Sequence, residues 1–426
     1  MNTVDPMVLR RRFVWLTFLR WFPTGLLLPA LVLLLTARGL SLQTVGLIFV
    51  GYGLACVLLE LPTGGLADVI GRRTVLVASG VLFVGSAVVL AFGQSVAVLA
   101  VGTLVAGIGR ALDSGPLEAW YVDAVRAVDK GCDLKPALSR GHAAGSLGIA
   151  LGSLSGGGLI AVTPLPDSGD AVLLALSVPY LVSAAFGLVG LGFVLAWVVD
   201  PDRPGRRPTV RQVLAEVPRT VGRGAALVTR SRVLRRLSIR AMVVGVVLVT
   251  CELLSPVQFE QSIGAGGYAV LVTLAFAGAA VGARLAPALA RLVGGTGRGL
   301  FLATLAAGLV MAGLALPGWL LPAAAYVLLY LAAGLDDPLV GELLHEETSS
   351  DERATVLSVQ SLLMQGGGAA TNVAIPALVA ATAFGTAWLG VAGLVLLASG
   401  LAVGLPRGHL GEQAGLVPET APAVAP

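Results

Sequence analysis

The chain has 426 residues, 56% of them hydrophobic and 12% charged, with a formal net charge of +4. A water-soluble protein of this length needs a charged exterior that this composition does not supply, and the same apolar content excludes global disorder. The net charge is modest and the basic residues gather in loops between apolar runs, which is the pattern of membrane topology and not of a nucleic-acid footprint.

Twelve apolar runs follow one another, each near the ~20 residues that cross a hydrocarbon core as a helix. They are Phe13–Ala37, Thr44–Ala67, Thr74–Phe92, Val96–Tyr121, Ala143–Val162 and Val172–Val199, then Leu237–Phe259, Tyr268–Leu292, Leu300–Leu316, Trp319–Leu344, Ala354–Ala380 and Phe384–Leu405. The runs are too long and too continuously apolar for the alternation of a barrel. An all-α integral membrane fold is expected, with residues 1–199 and 237–405 as two six-helix bundles. The first run follows Arg10, Arg11 and Arg12 and reads as a retained helix.

The loops that share a side with the N-terminus carry Arg72, Arg73, Arg126, Lys130, Lys135, Arg140, the arginines from Arg203 to Arg236, Arg298 and Arg407. The opposite loops carry almost none, Arg38 being the exception. The positive-inside rule then places both termini in the cytoplasm and the chain in the cytoplasmic (inner) membrane. The central segment, 200–236, reads as a cytoplasmic linker, or as an amphipathic stretch on the membrane surface with Val210, Val213, Leu214 and Val217 on one face. The Gly-, Ala- and Pro-rich tail, 406–426, reads as disordered.

The halves repeat weakly. Leu112-Asp113-Ser114-Gly115-Pro116-Leu117 is echoed by Leu335-Asp336-Asp337-Pro338-Leu339, and Leu66-Ala67 with Gly71 by Leu289-Ala290 with Gly294, at the same offset. Two such halves point to a transporter with its substrate site between them.

Between the second and third runs stands Gly64-Gly65-Leu66-Ala67-Asp68-Val69-Ile70-Gly71-Arg72-Arg73. The glycines permit a tight turn and close helix approach. This segment resembles the signature of the major facilitator superfamily at that place, with Val69 where the family usually has a basic residue. The resemblance is to the bacterial drug or metabolite efflux type. It implies that Asp68 meets the start of the eleventh helix near Arg353 and Thr355, a latch made with Gly64, Gly71, Arg72 and Arg73. It also implies that the first, fourth, seventh and tenth helices line a central cavity, which places Arg20, Asp113, Glu252 and Asp336 on lining helices. Arg110 matches an arginine that the family ties to proton transfer.

The residues themselves leave several readings open. Glu60, about one turn inside the membrane, either snorkels or serves as a gate or proton-linked carboxylate. Arg110 and Asp113, three apart, share a helix face and can pair, as a structural ion pair or as a coupling device. Glu118 and Asp123, nearer the inner end, read as solvated. Asp337 stands beside Asp336, and Gln360, Gln365 and Asn372 add polar groups to the eleventh run. Gly145, Gly148, Gly152, Gly156, Gly157 and Gly158 permit backbone-to-backbone packing. They partly resemble the antiporter signature of the fifth helix, with Ser153 at the usual proline.

Cys56, Cys132 and Cys251, and His142, His345 and His409, are scattered, so neither a disulfide framework nor a metal site is expected. No nucleophile with a base and no nucleotide-binding glycine loop is present, so no cofactor and no enzyme activity are expected. The reading is a monomeric secondary transporter whose partners are a small-molecule substrate, protons and the lipid bilayer, and not nucleic acid. Proton-coupled efflux is the first alternative and import or facilitation the second. A non-transporting receptor and a membrane enzyme stand further off.

Overall fold

The structure is a computed structural model that describes residues 5–129, 131–200, 209–406 and 408. Among these residues it is all helical. The first half comprises α1 (Pro6–Leu27), α2 (Leu31–Ala37), α3 (Leu42–Ile70), α4 (Arg72–Phe92), α5 (Val96–Leu112), α6 (Pro116–Val128), α7 (Lys135–Val162) and α8 (Val178–Trp197). After α9 (Val210–Arg230) come α10 (Arg232–Leu292), α11 (Thr296–Ala312), α12 (Leu320–Glu347), α13 (Ser350–Ala381) and α14 (Phe384–Ser399).

Eleven spans are long and apolar enough to cross a membrane, with α1–α2 and α5–α6 each forming one broken crossing. The longest, α10, has 61 residues, and at 1.5 Å rise it would be about 90 Å long if straight. It turns back at Gly264, where φ is 68°. Ser255 Oγ and Tyr268 Oη, on either side of that turn, lie 3.0 Å apart. The two limbs bring the crossings to twelve. An even number puts both ends of the chain on one face, here called the terminal face.

Two expected runs differ in a way that matters for the site. The fourth is not one continuous helix: α5 stops at Leu112, Gly115 takes a left-handed φ of 94°, and Pro116 starts α6. Proline lacks the N–H for an interior helix position but suits a first turn, so Asp113 sits in a break and not on a helix face. The central segment is largely helical. The capping box of Thr209 and Gln212 starts α9, and Ser231 caps α10 five residues earlier than the apolar run suggests. The surface helix packs on α13, α10 and α3. The tail beyond 408 lies outside the described residues.

Packing differs between the two faces. On the face opposite the termini a single apolar core joins both halves. It includes Leu34, Val45 and Phe49 from the first half and Leu254, Phe259, Tyr326 and Trp388 from the second. On the terminal face there are two separate cores, one of first-half residues such as Phe13, Trp120 and Val125, the other of second-half residues such as Leu237, Leu343 and Val356. The close approaches between halves sit on the sealed side. A Cβ added at Gly46 would lie 2.0 Å from the Asn372 carbonyl oxygen, and one at Gly157 2.0 Å from the Ala269 Cβ. Among the described residues the halves therefore share one core on one face and keep separate cores on the other, where α9 packs against both.

Gly46→Val should break this seal, because the carbonyl it meets is backbone and overpacking costs about 1–3 kcal/mol. In a cysteine-free background, a cysteine at Leu28 should then react roughly tenfold faster with a membrane-impermeant maleimide added on the sealed face. An unchanged rate would mean that this contact does not hold the face shut.

Candidate functional site

A cavity of about 630 Å³ lies inside the molecule and reaches the shared core at Phe49, Ala87 and Leu90. Its walls are mostly apolar and come from α1, α3, α4, α5 and α8 of the first half, with α10 and α13 of the second. The charged residues on it are Arg20, Arg110, Asp113 and Glu252, joined by Tyr52, Gln365 and Asn372. A volume of this order suits a small organic molecule.

Arg20 and Asp113 form an ion pair across α1 and the α5–α6 break. The Arg20 Nε donates to the Asp113 carboxylate, and its Nη2 donates to the Asp113 carbonyl oxygen at 2.9 Å. The guanidinium also stacks on the Trp21 ring, 4.9 Å from its centroid, a favourable cation–π geometry. Asp113 thus takes its partner from another helix. The expected pairing of Arg110 with Asp113 is replaced, because the turn at Gly115 carries the carboxylate toward α1. Among the described residues Arg110 makes no hydrogen bond or ion pair, and it is half-buried on the cavity wall. Glu252 is exposed to the cavity, likewise without such a partner among the described residues. Tyr52 lies within electrostatic reach of both.

Of the tenth-helix candidates, neither Asp336 nor Asp337 lines this cavity. The Asp336 carboxylate accepts from Arg240 on the first limb of α10, and Arg240 also donates to Thr304 Oγ1 at 2.5 Å. Arg240 is 4% exposed, so this pair sits inside the second half. It is the counterpart of Arg20 with Asp113: partners 93 residues apart in one half and 96 in the other. Sequence reasoning missed Arg240 by grouping its neighbours with the basic run of the central segment. The near-equal separations were the signal that could have found it. Asp337 is exposed beside Asp336. Gln360 is buried, its Nε2 without a hydrogen-bond partner, and does not line the cavity.

The signature segment is tied into its own half. Gly71 has a φ of 94°, and a Cβ there would meet the Asp200 carboxylate at 2.4 Å. That carboxylate accepts from the backbone N–H groups of Arg72 and Arg73 at 3.2 Å, capping the positive end of α4. The Arg72 side chain donates to Asp123 at 2.8 Å, so Asp123 is a partner and not a merely solvated acid. Arg73 reaches the Leu195 carbonyl at 2.7 Å. Glu60, Gly64 and Asp68 fall in α3, but their side chains lie outside the described residues, and with them the expected latch. Arg353 is half-buried with its Nε unpaired. In the second half Thr296 Oγ1 donates to Glu342 at 2.5 Å, linking the corresponding loop to α12 as Arg72 links its loop to α6. Arg38, the exception among the loops of the sealed face, donates to the carbonyls of Gly169 and Val172 at 3.0 Å and to that of Ala171.

Twelve crossings, an internal repeat and a cavity between halves define a membrane transporter fold. The family model described as Major Facilitator Superfamily matches residues 13–372, and the chain belongs to that family. A comparison with curated proteins gave no match. Among solved structures, the nucleoside transporter NupG (D323A mutant) has a TM-score of 0.74 at 15% identity, covering 92% of this chain and 98% of that one. The human organic anion transporter MFSD10 (TETRAN) has 0.62 at 18%, covering 92% and 99%. A POT family transporter solved with a thioalcohol-conjugated peptide has 0.67 at 16%, covering 92% and 94%. At these identities the likeness is one of fold.

Breaking the Arg240–Asp336 pair from one side leaves a buried charge uncompensated, at a cost of about 3–5 kcal/mol. Asp336→Ala should therefore sharply lower the yield of monodisperse protein and its thermal midpoint in detergent. Arg240→Met combined with Asp336→Leu should recover most of both. A double variant no better than the single one would show that the pair does more than neutralise charge.

Proposed function

We propose that the chain is a secondary active transporter that moves a small organic solute by alternating access, exporting it in exchange for protons. The observation that carries this reading is the cavity itself: shared by both halves, and holding Arg110 on one half and Glu252 on the other, neither with a hydrogen bond or ion pair among the described residues. In hydrophobic surroundings charges persist when a substrate or an exchanged ion engages them. Glu252 is the residue suited to carry the proton, since Asp113 is already held by Arg20. Protonating Glu252 changes the charge of the cavity and with it the relative stability of the two states.

The halves 1–199 and 237–405 are the two rocking bodies. In the opposite state the signature segment, through Asp68, latches onto α13 beside Arg353. The basic loops of the terminal face support a cytoplasmic placement of both termini in the inner membrane, and the protein acts as a monomer in the bilayer. The export direction is supported by α7, whose Gly148, Gly152 and Gly156 bring its backbone against that of α1. That glycine face partly resembles the antiporter signature. The solved nucleoside, organic anion and peptide transporters of the same fold support a small organic substrate.

The test is uptake into inverted membrane vesicles under an imposed inward proton gradient, across lipophilic cations, neutral antibiotics, sugars and organic anions. Wild type should take up one class, and an uncoupler should abolish the uptake. Glu252→Gln should lose at least tenfold of the gradient-driven rate while retaining substrate-for-substrate counterflow. Uptake indifferent to the uncoupler and to Glu252→Gln would remove the proton role. Gradient-driven uptake confined to right-side-out vesicles would make the protein an importer.

A further inference from the structure

The cavity does not follow the two-fold symmetry of the fold. In the second half it reaches only the facing sides of α10 and α13, at residues 245–252 and 364–372. In the first half it runs through the bundle interior, between α1, α4, α5 and α8. Along α4 it extends from Leu76 to Leu90, a rise of roughly 21 Å. In the second half Phe259, Tyr268, Phe276, Tyr326 and Tyr330 instead form a continuous aromatic cluster between the two limbs of α10 and α12, each ring within 6.5 Å of a neighbour.

Residue size accounts for the difference. In the first half Ala87, Ala106, Ser183, Gly187 and Gly190 line the hollow. The hydroxyls there turn away from it: Ser183 donates to the Pro23 carbonyl at 3.2 Å and Ser86 to that of Gly102 at 2.8 Å. What remains is a long apolar lobe. Its polar end carries the Arg20–Asp113 pair, already satisfied, and Arg110, which has no partner among the described residues.

We propose that the cavity takes a single-chain amphiphile with an anionic head, the head engaged by Arg110 and the alkyl chain lying in the first-half lobe. This substrate class rests on the transport reading above. Arg110 is the cation on the cavity wall that is free to form charge-assisted hydrogen bonds with a carboxylate or phosphate. Arg20 and Asp113 neutralise each other, so Arg110 is the charge left on that wall for the head. The lobe offers the chain a mainly apolar wall whose Ser79, Ser86, Thr103 and Ser183 hydroxyls are already bonded to backbone carbonyls. A hydrophilic solute of compact shape would leave the lobe empty.

The experiment is equilibrium binding of the full chain in lipid nanodiscs, with empty nanodiscs subtracted for partitioning. The probes are radiolabelled hexanoate and decanoate, with decyl phosphate and decyltrimethylammonium as competitors. Decanoate should bind at least tenfold tighter than hexanoate. Decyl phosphate should displace it, and decyltrimethylammonium should not. Arg110→Gln should weaken decanoate at least tenfold, with Arg110→Lys recovering part of the loss. Gly190→Leu fills the lobe from a position where a Cβ meets no neighbouring atom within 4 Å. Combined with Ala106→Leu, it should cut decanoate affinity while sparing hexanoate. Equal affinity for both chain lengths, displacement by the cationic amphiphile as effective as by the anionic one, or decanoate binding unmoved by filling the lobe would overturn the proposal. Binding without proton-driven uptake would instead count against the transport mechanism alone.

Discussion

An arginine held by an aspartate of another crossing is the interaction on which each half depends. It occurs twice, as Arg20 with Asp113 and as Arg240 with Asp336. An ionised side chain in hydrocarbon is costly alone, at about 3 kcal/mol on insertion scales, and tolerable only with a partner that satisfies it. Each pair therefore fixes the approach of one crossing to another, α1 to the α5–α6 break and α10 to α12, more sharply than apolar contact does in a lipid environment, where packing has little hydrophobic drive. The halves then diverge around this shared device. In the second, Thr304 gives the arginine a further partner and the pair is enclosed, with the Arg240 Nε left without a hydrogen bond. In the first, the pair faces the cavity and forms part of its wall.

The break between α5 and α6 is what brings Asp113 into that position. An uninterrupted helix would leave Asp113 one turn below Arg110, and the two would neutralise each other. The left-handed Gly115 and the following Pro116 end the helix, swing the carboxylate to α1, and leave Arg110 without an ion pair among the described residues. A local backbone event thus decides which of the two arginines holds Asp113. The same logic of fixed ends applies at the terminal face. Asp200 and Asp123 hold the signature turn to the first half.

Much of this was legible in the residues. Continuous apolar runs with basic loops on one side specify twelve crossings, because lipid admits few other structures. The shared offset of Asp113 and Asp336 marked the repeat that the ion pairs now explain. Side-chain partners were less legible. Arg110 and Asp113 are three apart, and helical spacing alone pairs them. The Ser114-Gly115-Pro116 sequence was the contrary signal, since glycine followed by proline is a strong break. Arg240 was obscured by composition: it follows a dense basic run whose other members serve topology, and one buried arginine among many exposed ones has no mark of its own. The hollow in the first half was not legible at all. It depends on the sum of small residues over four helices, and no single position announces it.

The asymmetry between halves bears on how such a molecule can move. Alternating access requires that two bodies of similar frame exchange contacts about a common site, which favours keeping the frame symmetric. Binding has no such requirement and gains from difference. Here the frame is shared in the paired arginines and the tethered loops, while the interiors differ: one carries an aromatic cluster between the limbs of α10 and α12, the other a hollow lined by glycine, alanine and serine. On the transport reading proposed above, a ligand lodged in the hollow half would travel with that half and meet the other mainly at Glu252 and the polar face of α13. The rocking step would then remake only the few contacts at that boundary, not the whole envelope of the bound molecule. That places the greatest sensitivity to charge where the two halves meet, and the greatest sensitivity to shape inside one of them.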